Sequence, residues 1–88
     1  METDERVKLV FDILESVEMP KELRYRLKES ARSAMQNGAK FGGVIVAGQA
    51  MAHHRIKYRG VLHLWRESDS GRITPLTVEI MHTEGGSV

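Results

Sequence analysis

The residues with the most chemical potential lie in one run, His53-His54-Arg55-Ile56-Lys57-Tyr58-Arg59-Gly60-Val61-Leu62-His63-Leu64-Trp65-Arg66. Read as a β-strand, its side chains alternate between two faces. Ile56, Tyr58, Leu62 and Leu64 form an apolar row suited to a core. Arg55, Lys57, Arg59, Val61, His63 and Trp65 form a cationic row that ends in an aromatic ring. Guanidinium and ammonium groups neutralise phosphates, and an indole stacks on an unpaired base or anchors a protein partner. The row therefore points to an anionic partner, nucleic acid first, contacted by Arg55, Lys57, Arg59, His63 and Trp65. A second basic row, Lys21, Arg24, Lys28 and Arg32, is spaced by three and four residues and falls on one side of a helix. It extends the candidate binding surface, although for a helix alone a solvated face is the simpler explanation.

Other chemistries find less support. The four histidines include no His-x-x-x-His pair, and adjacent His53 and His54 on a strand point to opposite faces. With no cysteine and no carboxylate at ligand spacing, neither a metal site nor a cofactor is expected. Gly42-Gly43 and Gly48 lack the Lys-Ser/Thr pair of a phosphate loop. RNA cleavage would need a proton acceptor, a donor and a cation beside the phosphate. His53 or His63, Tyr58 or Glu79, and Arg55, Lys57 or Arg59 supply those residue types. The order of a helix pair and then a sheet is faintly similar to the small toxins of the RelE/ParE kind, which begin with a strand that this chain lacks. A toxin-like ribonuclease is accordingly one alternative, with no catalytic residue assigned, because histidines outside a motif are usually bystanders. A third class is a protein-binding regulator or inhibitor, of the phage or mobile-element type, using the same face for a partner or a dimer.

The elements that must position these residues follow from the rest of the chain. Its 88 residues make one domain, expected over 1–82, with 83–88 as a flexible tail. So short a chain buries little surface, and a homodimer would add to it. No apolar run approaches the roughly 20 residues of a membrane span. With an acidic start and no cysteine, the expectation is a soluble, cytoplasmic protein without membrane contact. The net charge of +1 conceals segregation: −4 over residues 1–19, +8 over 20–66 and −3 over 67–88. Such a block creates a local positive field unless the acidic ends fold over it.

Val7, Val10, Phe11, Leu14 and Val17 recur at helical spacing and predict an amphipathic helix over 4–17, with Thr3 as its cap. Leu9 and Ile13 lie beside that stripe, widening the core face or forming a small exposed patch. Pro20 to Gln36 predicts a second helix, buried through Leu23, Leu27, Ala31, Ala34 and Met35 and ended by Asn37-Gly38. Val44-Ile45-Val46 predicts a strand, with 48–54 open between strand and helix. The basic strand follows, then a Ser68-Asp69-Ser70-Gly71 turn and a last strand over 73–81, at a sheet edge because of Pro75. The expected fold is α+β: a two-helix hairpin on one face of a three-stranded antiparallel sheet, ααβββ. The sheet's other face would then be bare, with dimerisation through Val61, Trp65 and Met81 competing with nucleic acid for it.

Overall fold

The computed structural model describes residues 2–86. Among them, helices α1 (Glu2–Ser16) and α2 (Lys21–Gln36) precede strands β1 (Lys40–Met51), β2 (Arg55–Glu67) and β3 (Ile73–Gly85). The strands form an antiparallel sheet in the order β1-β2-β3, so the basic strand is central. The fold is the α+β arrangement expected. Helix α1 begins at Glu2, which puts Thr3 inside its first turn rather than before it. Pro20 occupies the cap position of α2 with ψ of 144°, one residue ahead of the helix. At the other end the Gly38 and Ala39 amides donate to the Met35 and Ala34 carbonyls, and Gly38 takes φ of 92°. That pair of bonds closes the last turn as glycine caps generally do.

The core lies between the helices and one sheet face. Leu14, Leu23, Leu27 and Leu62 are fully buried, with Val10, Ala31, Met35, Leu64 and Ile80 around them. Each such side chain contributes about 1.5–3 kcal/mol by leaving water. Helix α2 rests directly on the sheet, and Gly60 marks the tightest point. A Cβ there would meet Leu27 at 3.0 Å and Leu23 at 3.3 Å, so the absent side chain lets helix and strand approach.

The two layers differ in length. Helix α2 spans about 24 Å at 1.5 Å per residue, whereas β2 spans about 43 Å at 3.3 Å per residue. Pro20 lines a groove with Tyr58, and Ala34 and Asn37 line another with Arg66 and Leu76. The helical layer therefore ends near Tyr58, and the strands continue beyond it as an arm. The molecule measures 53 × 24 × 16 Å, with a radius of gyration of 14.9 Å, against about 12 Å for an ordinary domain of this size.

The arm corrects two sequence expectations and resolves the open assignment of 48–54. Ile56, assigned to the core by parity, is 40% exposed because no helix reaches its row. Residues 48–51 are strand, and only Ala52–His54 form a short helical turn. β3 runs to Gly85 rather than stopping at Met81, because Thr83, Glu84 and Gly85 pair with Lys57, Ile56 and Arg55. The predicted tail over 83–88 is thus strand through Gly85, and its last two residues lie outside the described residues. Gly85 takes φ of 79°, and a Cβ there would lie 2.9 Å from the His54 carbonyl oxygen. Replacing Gly60 by valine should cost about 1–3 kcal/mol through overpacking against Leu23 and Leu27. Urea unfolding of Gly60→Val measures that loss.

Candidate nucleic-acid interface

Register places Arg55, Lys57 and Arg59 on the sheet face opposite the helices, on alternate residues of the central strand. All three are exposed. Their cross-strand neighbours are Met51, Gln49 and Ala47 on β1 and Gly85, Thr83 and Met81 on β3, so the cations stand above a neutral floor. Arg59 forms an ion pair with Glu79. Among the described residues, no carboxylate lies within ion-pair distance of Arg55 or Lys57. The three side chains stand about 7 Å apart along the strand.

His63 and Trp65 share that face but not that place. They stand at the end covered by helices, several residues from the cationic row. His63 is exposed, whereas Trp65 is half-buried. Its ring lies across the β1 bulge at Gly42, where a Cβ would come within 3.1 Å of it. Trp65 also lines a groove of about 310 Å³ with Arg6, Leu9, Ile13 and Phe41. It is a wall of that groove and not an open stacking platform beside Arg55. Val61, on the same face, is only 5% exposed, so it is not available to a dimer contact.

The helical basic row has other duties. The carbonyls of Leu14 in α1 and Val17 just beyond it accept hydrogen bonds from Arg24, at 3.1 Å from Nε and 2.8 Å from Nη2. Helix α1 has no basic residue in its last turn, so Arg24 supplies from α2 the cation its C-terminus favours. Lys28 pairs with Glu15, Arg32 pairs with Glu29 at 3.1 Å, and both cations lie over the Phe11 ring. Lys21 is exposed. Arg24, Lys28 and Arg32 therefore join the two helices, and their charge is partly neutralised there.

The arm's tip carries strain. His53 and His54 take φ of 63° and 57°, consecutive left-handed residues that are neither glycine nor asparagine. Hairpins with two positive-φ residues normally place Asn-Gly there. The histidines are exposed at the tip, next to Arg55. Tyr58 and His82 face the helix side, and His82 pairs with Glu84 at 2.6 Å. Tyr58, one of the two candidate donors with Glu79, therefore stands on the opposite face from Arg55, Lys57 and Arg59. Among the described residues, no group of three His, Cys, Asp or Glu side chains is placed to hold a metal ion, and no helix is long and apolar enough to cross a membrane.

Comparison with protein-family models, with curated proteins and with solved structures returns no match. The arm itself is a structural feature that the sequence pattern did not disclose. Its signals were the uncharged length of β1 and the glycines at 85 and 86, which bring β3 up to the hairpin tip.

Two outcomes follow from this geometry. Lys28, and secondarily Arg24, hold the Glu15 carboxyl below the usual carboxylate range. A carboxyl lowered by folding stabilises above its unfolded pKa, and that contribution disappears as pH falls through the folded value. Glu15→Gln should therefore be less stable than the native chain near neutrality, and the two should converge on acidification, as thermal unfolding across pH reads. Replacing His53-His54 by Asn-Gly should relieve the left-handed strain and stabilise the protein by about 1 kcal/mol. Calorimetry of that double variant measures the gain.

Proposed function

We propose that the protein is a non-enzymatic nucleic-acid-binding module whose contact surface is the cationic face of the β arm. One observation carries this reading: Arg55, Lys57 and Arg59 project in a row from an uncovered face, and two of the three lack a carboxylate partner among the described residues. Charges this close together repel one another in the free protein, and a polyanion relieves that repulsion. A nucleic-acid strand presents a regularly repeated negative charge, so a row of cations about 7 Å apart meets a row of phosphates rather than a single anion. The neutral floor of Ala47, Gln49, Thr83 and Gly85 lets a backbone approach Arg55 and Lys57, while Arg59 must be shared with Glu79. The strain at His53 and His54 adds support, because left-handed non-glycine residues cluster at binding and switch sites.

The arrangement favours phosphate contacts over base readout. Three cations supply affinity and little sequence information, and Trp65 is too far along the strand to read a base held at Arg55. The reading is tested by titrating labelled single- and double-stranded DNA and RNA at two salt concentrations. Binding should weaken with salt at a logarithmic slope of about −3, for three neutralised phosphates. Arg55→Glu with Lys57→Glu should remove binding, whereas Lys21→Glu should leave most of it. Salt-insensitive binding, or binding that survives the double reversal, sinks the assignment.

A further inference from the structure

Strand β1 is a free sheet edge of twelve residues, and from Phe41 to Ala52 it carries no charge. Exposed sheet edges offer unpaired N–H and C=O groups, and proteins ordinarily block them with charges, proline, bulges or a cover. The opposite edge follows that rule. β3 contains Pro75, Glu79 and Glu84, and Arg26 reaches across from α2 to donate a 3.1 Å hydrogen bond to the Met81 carbonyl. β1 has only the Gly42 bulge and Lys40, both at its start. Under a two-fold axis a strand meets itself, so a charge near its middle would stand close to its own copy across the pair. The uncharged length of β1 meets that condition.

Two further surfaces lack partners within one chain. On α1, Leu9 is 63% and Ile13 42% exposed, both beside Lys40 and Phe41 on the β1 side of the molecule. On the helix side of the arm, Gly48, Ala50 and Ile56 form a thin apolar strip that no helix covers. Small residues on a strand permit a helix to come close. The apolar helix edge and the bare strip lie toward opposite ends of the same strand.

We infer that β1 pairs antiparallel with β1 of a second copy, joining two sheets into one of six strands. We place the two-fold at Val46, the midpoint of the uncharged stretch 41–51; with a residue on the axis, facing residues share a side. Val46 then faces itself, Val44 faces the partner's Gly48, and Ile45 faces the partner's Ala47. This register brings each copy's helix-covered end beside the other's bare arm, so Leu9 and Ile13 lie over the partner's Ala50 and Ile56. Both helical layers fall on one side and both cationic rows on the other. A standard interface takes about 800 Å² from each partner, about an eighth of the chain's 6228 Å² of accessible surface.

Sedimentation equilibrium across the micromolar range tests the pairing. The native chain should reach twice its 10.0 kDa mass. Ile13→Lys alone and Ala50→Glu alone should each weaken association by about tenfold or more, since each places an unpaired charge against an apolar surface. The two substitutions together should restore it, because the ammonium of one copy meets the carboxylate of the other. Amide hydrogen exchange gives a reading without variants: the outward-facing N–H groups of 44–50 should be protected in the native protein and lose protection on dilution. A native chain that stays monomeric, with these amides unprotected, overturns the inference and leaves the edge to some other strand. A dimer indifferent to both single substitutions overturns it as well.

Discussion

The approach of α2 to β2 at Gly60 fixes where the helical layer sits, and the form of the rest follows from it. Two leucines of α2 rest on the one residue of the central strand that has no side chain. Once that contact is set, a helix of sixteen residues cannot cover strands of twelve and thirteen, because a strand residue extends more than twice as far as a helical one. One end of the sheet becomes half of a core. The other becomes an arm held by strand pairing and by close backbone packing at its tip. The apolar face of β2 changes duty along its length: Leu62 and Leu64 are buried, Tyr58 lies at the rim, and Ile56 stands in solvent.

Basic residues divide along the same line. Arg24, Lys28 and Arg32 of α2 are drawn into the helix seam, where the Glu15 carboxylate, the Phe11 ring and the carbonyls at the end of α1 are within reach. Those on the arm have few such neighbours. Exposed ion pairs contribute little to stability individually, so the seam matters less for its charge than for orienting α1. Helix α1 in turn holds Leu9 and Ile13 out beside the β1 edge.

Much of the architecture was legible in the sequence, because period and punctuation report element type directly. Leu23, Leu27, Ala31 and Met35 carried the buried face of α2, and Asn37-Gly38 its end. Ser68 to Gly71 made a turn with the expected hydrogen bonds. Parity also separated Leu62 and Leu64 from Arg55, Lys57 and Arg59. It could not say how far along the strand the helical cover extends, which is why Ile56 was misplaced. Nor could spacing distinguish a basic row facing water from one facing a neighbouring helix; that depends on Glu15 and Phe11, which belong to a different element. The strand character of 82–85 was hidden because its pairing is specified by backbone register and glycine conformation rather than by apolar alternation. The setting of Trp65 was hidden for a related reason, since the bulge that receives its ring is a property of β1.

The arm also divides the molecule energetically. Its backbone bonds are satisfied between strands, but few of its residues add apolar burial to the core. The free energy needed to open it is therefore set by local pairing and the tip contacts, well below that for separating α2 from Leu62. Opening would begin where Gly85 meets the His54 carbonyl, and would proceed toward Gly60 without dismantling the core. Such sub-global opening is characteristic of segments that move or bind. A ligand gripping Arg55 and Lys57 would thus act on the least stable part of the chain. Part of its binding energy would go into holding the strands together, so affinity at the cationic row would be coupled to the integrity of the adjoining hairpin turn.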